Sequence, residues 1–323
     1  MDQHAGILRS ILRLAWPGVV LVAFQSAVSI ADAHFVGRLG TAPLAGLALV
    51  FPLVMLMQMM TAGAMGGGVA SAIARALGAR DQPRAEALLA HAMLLAMVLG
   101  IAFSLLIVGL GPLLYRLLGG RDEALQLAIT YSTVLFAGAP LVWLANFCAA
   151  ALRGMGNTLI PAGVLSITAI VHIALSGMLT LGIGSIDGLG IAGTALAYIL
   201  GFAIAATIFL FVLSRVQLPV RLRLKGIAWS WSHCATILRV GAMSSLSALQ
   251  TVITAVVLTG YVGGFGTAAI AGYGVGVRLE LLQVPLVFAV GAALVPLVGM
   301  NIGAGRPERA KRIAWTGAGL AAL

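Results

Sequence analysis

Residues 35–46 read FVGRLGTAPLAG and residues 261–272 read YVGGFGTAAIAG, seven identities in twelve positions at an offset of 226. The order holds on both sides. Ile11-Leu12-Arg13 returns as Ile237-Leu238-Arg239 at the same offset, and Gly78-Ala79 and Arg84-Ala85 return as Gly303-Ala304 and Arg309-Ala310 at an offset of 225. Separate blocks in one order at one near-constant offset mark a duplicated unit. Two copies of that period exceed the 323 residues of the chain, so the sequence predicts a complete first copy and a second that stops early. The natural protein is accordingly expected to continue for about three and a half further spans.

The repeated unit belongs in a membrane. Of the residues 61% are apolar and 9% charged, whereas soluble domains carry about 25% charge. Surfaces so poor in charge must meet lipid or other helices. Taking about 20 apolar residues as one crossing, eight spans emerge at 14–36, 44–73, 88–111, 125–151, 159–183, 188–213, 236–262 and 268–298, with a partial ninth at 313–323. None alternates apolar and polar residues over ten positions as barrel strands do, so the spans are helices. The first apolar run is a full span with no small-residue cleavage site, which argues against a cleaved leader.

Six spans precede the second copy, and six is even, so both copies enter from one face. The expected fold is therefore an all-α polytopic membrane protein of two parallel six-helix repeats related by an axis along the membrane normal. Residues 1–226 would form the first bundle with its following loop, and residues 227–323 the start of the second.

The net charge is +10. Fifteen of the 19 basic residues fall on the N-terminal side: Arg9, Arg13, Arg75, Arg80, Arg84, Arg153, Arg215, Arg221, Arg223, Lys225, Arg239, Arg306, Arg309, Lys311 and Arg312. Only Arg38, Arg116 and Arg121 lie opposite, with Arg278 inside a span. This asymmetry predicts a cytoplasmic N-terminus, and basic residues strung along short loops do not make a nucleic-acid surface. The two cysteines, Cys148 and Cys234, sit among apolar residues, which supports neither a disulfide framework nor a metal site.

A charge inside a span costs about 2.5–3.5 kcal/mol on insertion scales, so each one requires a reason. Asp32 is the only carboxylate inside the first six spans and lies near the outer end of the first. It could hold a proton or help ligate sodium; the alternatives are an interfacial aspartate or a partner for Arg38. His34, two residues on, points elsewhere and reads as an interface residue. His172 and Ser176 are four apart and share a helix face. His172 suits a relay titrating near neutrality, or equally a buried structural imidazole. Arg278 and Glu280 in the eighth span do not face one another and suggest a hydrated cleft, with Glu280 attracting cationic substrate, carrying a second proton or forming a structural ion pair with a further helix. Gln58 stands in the tract Met55-Leu56-Met57-Gln58-Met59-Met60. Those methionines read as lipid-facing filler, with an adaptable substrate wall, to which Gln58 would belong, as the alternative. Small residues at 62–68 and 291–293, and Pro17, Pro52, Pro140, Pro161 and Pro285, permit close packing and kinks.

Three stretches, ADAHFVGRLG at 31–40, LRGMGNT at 152–158 and GMNIGAGR at 299–306, together resemble the multidrug and toxic compound extrusion (MATE) transporters, in particular their prokaryotic DNA-damage-inducible-protein-like branch. The resemblance runs from about residue 8 to the end. It implies two six-helix bundles facing each other across a cleft, in a bacterial inner membrane. It further implies an antiporter that expels small organic, commonly cationic, compounds in exchange for protons or sodium ions, with no cofactor beyond the ion gradient. Asp32 falls where the family carries its first-helix coupling aspartate. The positions of His172 and Ser176 commonly hold Asn and Asp there, and the position of Tyr198 a Thr. These changes leave few oxygen ligands and favour protons over sodium.

Other classes fit less well. A flippase for lipid-linked oligosaccharide, from the same superfamily, would show a basic cleft, whereas the charges here lie mainly in loops. An intramembrane enzyme would need a motif such as His-Glu-x-x-His, Gly-x-Ser-x-Gly or Asp-x-x-x-Asp, and the sequence has none.

Overall fold

The computed structural model describes residues 2–184, 186–223, 229–263 and 287–322. Helix α1 runs Asp2–Gly37 and α2 Thr41–Gln58; a π-helical segment, Met59–Ala64, joins α2 to α3, Met65–Gly78. Then come α4 (Gln82–Leu117), α5 (Asp122–Ala137), α6 (Ala139–Gly154) and α7 (Leu159–Leu181). A two-strand hairpin, β1 Gly182–Ile183 and β2 Ile186–Asp187, leads to α8, Ile191–Arg215. Helix α9 spans Trp231–Gly263, α10 is described over Val287–Gly303, and α11 is Pro307–Ala321.

Five helical stretches are long and apolar enough to cross a bilayer: Gly6–Gly37, Thr41–Gly78, Gln82–Leu117, Leu159–Leu181 and Ile191–Arg215. The pair α5 and α6 makes a sixth, bent by 49°. These coincide with the first six expected spans. The expected seventh lies on α9, and the eighth lies largely outside the described residues.

The boundaries differ for identifiable reasons. Helix α1 begins twelve residues before the expected span because Ile7, Ile11 and Ala15, spaced four apart, are buried on one face. Val290, Leu294 and Val298 of α10 and Ile313 of α11 pack with Ile7 and Ile11, while Arg9 and Arg13 stay outside. That amphipathic extension is invisible to a search for apolar length. The fifth and sixth spans end at 181 and begin at 191 rather than 183 and 188, because Gly184, at φ 59°, turns the intervening chain into the small hairpin. The bend in the fourth span falls between α5 and α6, where Pro140 has no N–H to bond the carbonyl four residues back. The bend also brings Pro140 onto α4, where a Cβ on Gly100 would lie 2.6 Å from its Cα.

Within the first bundle α7 packs on α8 and α1, α4 on α6, α2 on α5, and α6 also on α3 and α8. The core these faces enclose contains Trp143, Phe136, Phe147, Phe209 and Met57, all essentially without solvent exposure. Of the methionine tract, Met57 is buried in the core rather than facing lipid, where its unbranched thioether fills an irregular gap between helices, while Met55, Met59 and Met60 are half-buried. Residues after α8 strap across the start of α4. Val220 is buried, Arg223 reaches Glu86 at 3.8 Å, and Trp229 stacks on His91, whose Nε2 accepts the Ser230 N–H at 3.0 Å.

On the side that carries the N-terminus, α3 meets α9 and α10 through glycines. A Cβ on Gly68 would come 2.6 Å from the Ile237 carbonyl oxygen, and one on Gly299 2.7 Å from the Cβ of Ala74. Cβ atoms on Gly78 and Gly303 would fall on the carbonyl oxygens of Met300 and Arg75 respectively. These two contacts are reciprocal, since Gly78 and Gly303, like Arg75 and Met300, stand 225 residues apart. Backbone pressed on backbone in this way is open only to small residues.

Candidate functional site

Asp32 lies on the last turns of α1, and α7 runs alongside it. His172 Nε2 is 3.0 Å from each carboxylate oxygen of Asp32, and the Ser176 hydroxyl donates to Asp32 Oδ1 at 2.7 Å. The side chains of His172 and Asp32 are 5% and 13% exposed, and Ser176 is fully buried. Spacing of four on α7 places both donors on one face, so a single carboxylate engages both. Since carboxylate oxygens only accept, His172 Nε2 carries the hydrogen in this arrangement. His172 Nδ1 is buried without a hydrogen-bond partner among the described residues.

The cluster ties α7 to α1 through one side chain of α1. Hydrogen bonds to a charged group contribute about 1.5–3 kcal/mol and neutral ones about 0.5–1.5 kcal/mol. Both grips of α7 on α1 therefore depend on the one Asp32 side chain. An imidazole nitrogen occupies the place where a cation site would want another oxygen, and no cluster of three or more His, Cys, Asp or Glu side chains suited to a metal exists among the described residues.

Tyr198, on α8, does not hydrogen-bond Asp32. Its ring stands edge-on to His172 at 5.9 Å and 88°, and its hydroxyl accepts a hydrogen bond from Gln58 Nε2. Gln58 thus sits in an inter-helix chain. Its Oε1 accepts from Asn146 Nδ2 at 3.3 Å, and Asn146 also donates to Thr61 Oγ1 at 2.8 Å. Asp32 and Arg38 form no ion pair among the described residues, and His34 is exposed, its ring against Phe35. Arg278 and Glu280 lie outside the described residues.

Asn146 and Thr61 join the chain without being among the residues that the sequence singles out. A lone asparagine among the apolar residues 141–152 was the available signal, because an amide in a span needs a partner as a charge does.

The family model MatE matches residues 17–178 and 243–323. The chain belongs to the MATE family. The FAD transporter of Shewanella oneidensis is 30% identical over 319 residues, covering 96% of this chain and 70% of that protein. The probable multidrug resistance protein YoeA of Bacillus subtilis is 24% identical over 312 residues, covering 95% and 67%. An outward-facing multidrug resistance MATE transporter of the MOP superfamily superposes with a TM-score of 0.87 at 27% identity, covering 96% of this chain and 69% of that one. The chain is thus a multi-pass membrane protein of a transporter family rather than an enzyme family, with small compounds handled by its relatives.

Within this MATE chain, Ser176→Ala removes one of the hydrogen bonds that join α7 to α1 and should lower stability by about 1 kcal/mol. An unchanged thermal unfolding midpoint would show that the hydroxyl contributes nothing to the contact.

Proposed function

We propose that this chain is the first bundle and the start of the second in a proton-coupled antiporter that exports small organic compounds by alternating access across a bacterial inner membrane. The observation that carries the reading is the Asp32 carboxylate held by His172 and Ser176 between α1 and α7. Protonation of Asp32 from outside loosens α1 from α7, and loss of the proton inside restores the clamp. A proton moving down 100 mV supplies about 2.3 kcal/mol, enough for about fiftyfold accumulation of a neutral substrate at one-to-one exchange. The N-terminal side, which carries most of the basic residues, is assigned to the cytoplasm. The reciprocal contacts at an offset of 225 support dividing the chain into repeats at residues 1–226 and 227–323.

Organic cations are the first substrate class. Flavin nucleotides are the second, favoured by the FAD transporter among the relatives. Arg75 and Arg84 also line a cavity of about 270 Å³ with Thr236 and Gly303 on the basic side, which would suit an anionic substrate.

The test uses the intact gene product in everted membrane vesicles, with a fluorescent organic cation and FAD offered in turn under imposed proton or sodium gradients. Uptake that collapses with the proton gradient supports the reading, and whichever compound accumulates names the class. Uptake that follows sodium alone overturns proton coupling. No uptake of either compound, with lipid-linked oligosaccharide translocated instead, would make the protein a flippase.

A further inference from the structure

The six residues Met59–Ala64 depart from the α-helix inside an otherwise continuous span. Gly66 makes this geometry possible, since a Cβ there would lie 2.6 Å from the Thr61 carbonyl oxygen. A π segment loosens the local ladder and is a natural place for a helix to change direction. Two side chains of α6 hold this one. Asn146 donates to Thr61 Oγ1, and the Arg153 guanidinium donates to the Ala62 carbonyl at 3.4 Å. Seven residues separate them, two turns of helix, so both project from one face of α6.

The π segment also lies between two other features. On one side Gln58, the residue just before it, bonds Tyr198, whose ring abuts His172 and through it Asp32. On the other side α3 carries Gly68, Ala74 and Gly78 into contact with α9 and α10. We propose that Asn146 and Arg153 are positioning residues that clasp the π segment of the second span, so that it acts as the hinge transmitting the protonation of Asp32 to the glycine-packed contact between α3 and α10. The proposal rests on the reading of Asp32 as the proton site. It provides a physical two-state element, the clasped or released π turn, that both ends can bias. Among the described residues, the charged and titratable side chains facing Asp32 are His172 of α7, Tyr198 of α8 and Tyr131 of α5. Protonation replaces the charge on Asp32, His172 relaxes, and Tyr198 pulls or frees Gln58.

The experiment places nitroxide labels on Gln82→Cys and Glu308→Cys, both exposed on the basic side, with Cys148 and Cys234 replaced by alanine, in the reconstituted intact protein. Distances are measured by double electron–electron resonance between mildly alkaline and acidic pH. The expected result is a pH-driven shift in the distance distribution that is absent in Asp32→Asn and reduced by more than half in both Asn146→Leu and Thr61→Val, with no further loss in the double variant. Thermal unfolding of each variant is followed in parallel. Should Asn146→Leu fail to fold, the isosteric Thr61→Val decides. Folded variants at both positions that respond as the wild type does overturn the hinge while leaving Asp32 as the proton site. A wild type that does not respond, or an Asp32→Asn that responds fully, overturns the hinge and the Asp32 reading together.

Discussion

Asp32→Asn should reduce gradient-driven accumulation by about fiftyfold at 100 mV, the whole of the factor one coupled proton can supply. Asparagine preserves the shape and its side-chain oxygen still accepts from Ser176, so the bundle is expected to fold. It can neither carry the charge nor take up the proton, and the difference between the two clamp strengths disappears. Exchange of substrate across vesicles without a gradient should therefore survive while accumulation against a gradient does not. Measuring both in one preparation separates loss of coupling from loss of the protein. Full accumulation in the mutant would remove Asp32 from the mechanism.

Gly303→Ala is the second large effect. The added methyl would fall on the Arg75 carbonyl oxygen, whereas Gly319 has open space at the same position on its residue and provides the matched control. The obstructing atom belongs to the backbone of α3, so no rotamer change relieves the overlap and α10 must move away. Overpacking of this kind costs about 1–3 kcal/mol, about 5- to 150-fold in the equilibrium between closed and opened arrangements of α3 against α10. Thr236, which borders the cavity beside this contact, is the reporter. With the native cysteines replaced, Thr236→Cys should react faster with a membrane-impermeant maleimide by that factor in Gly303→Ala, and at the unaltered rate in Gly319→Ala. Gly78→Ala should behave like Gly303→Ala because the two contacts are reciprocal. Equal labelling in the Gly303 and Gly319 variants would show that the contact yields without separating the helices.

The first six spans were legible because lipid imposes a length of apolar sequence on each helix, and that requirement is local. The start of α1 and the hairpin at 182–187 were less so, since Ile7 and Ile11 are interpretable only once α10 and α11 are seen beside them. Among candidate residues, Asp32, His172 and Ser176 stood out as rare polar groups in apolar spans, and they come together in space. Gln58 also stood out, and Tyr198 was named only through the family resemblance, yet their bond to each other links helices whose adjacency no spacing reveals.

From the sequence alone came a helical membrane protein, its crossings, the repeat near 226 residues and the rarity of Asp32, because hydropathy, periodicity and composition are properties of the chain taken in order. Only the tertiary structure decided that His172 meets Asp32 across 140 residues, that Asn146 and Arg153 hold a π turn, and that Gly78 and Gly303 pack reciprocally. Those facts depend on which helices are neighbours and on how far each is rotated about its axis. Both are set by packing among all the helices at once.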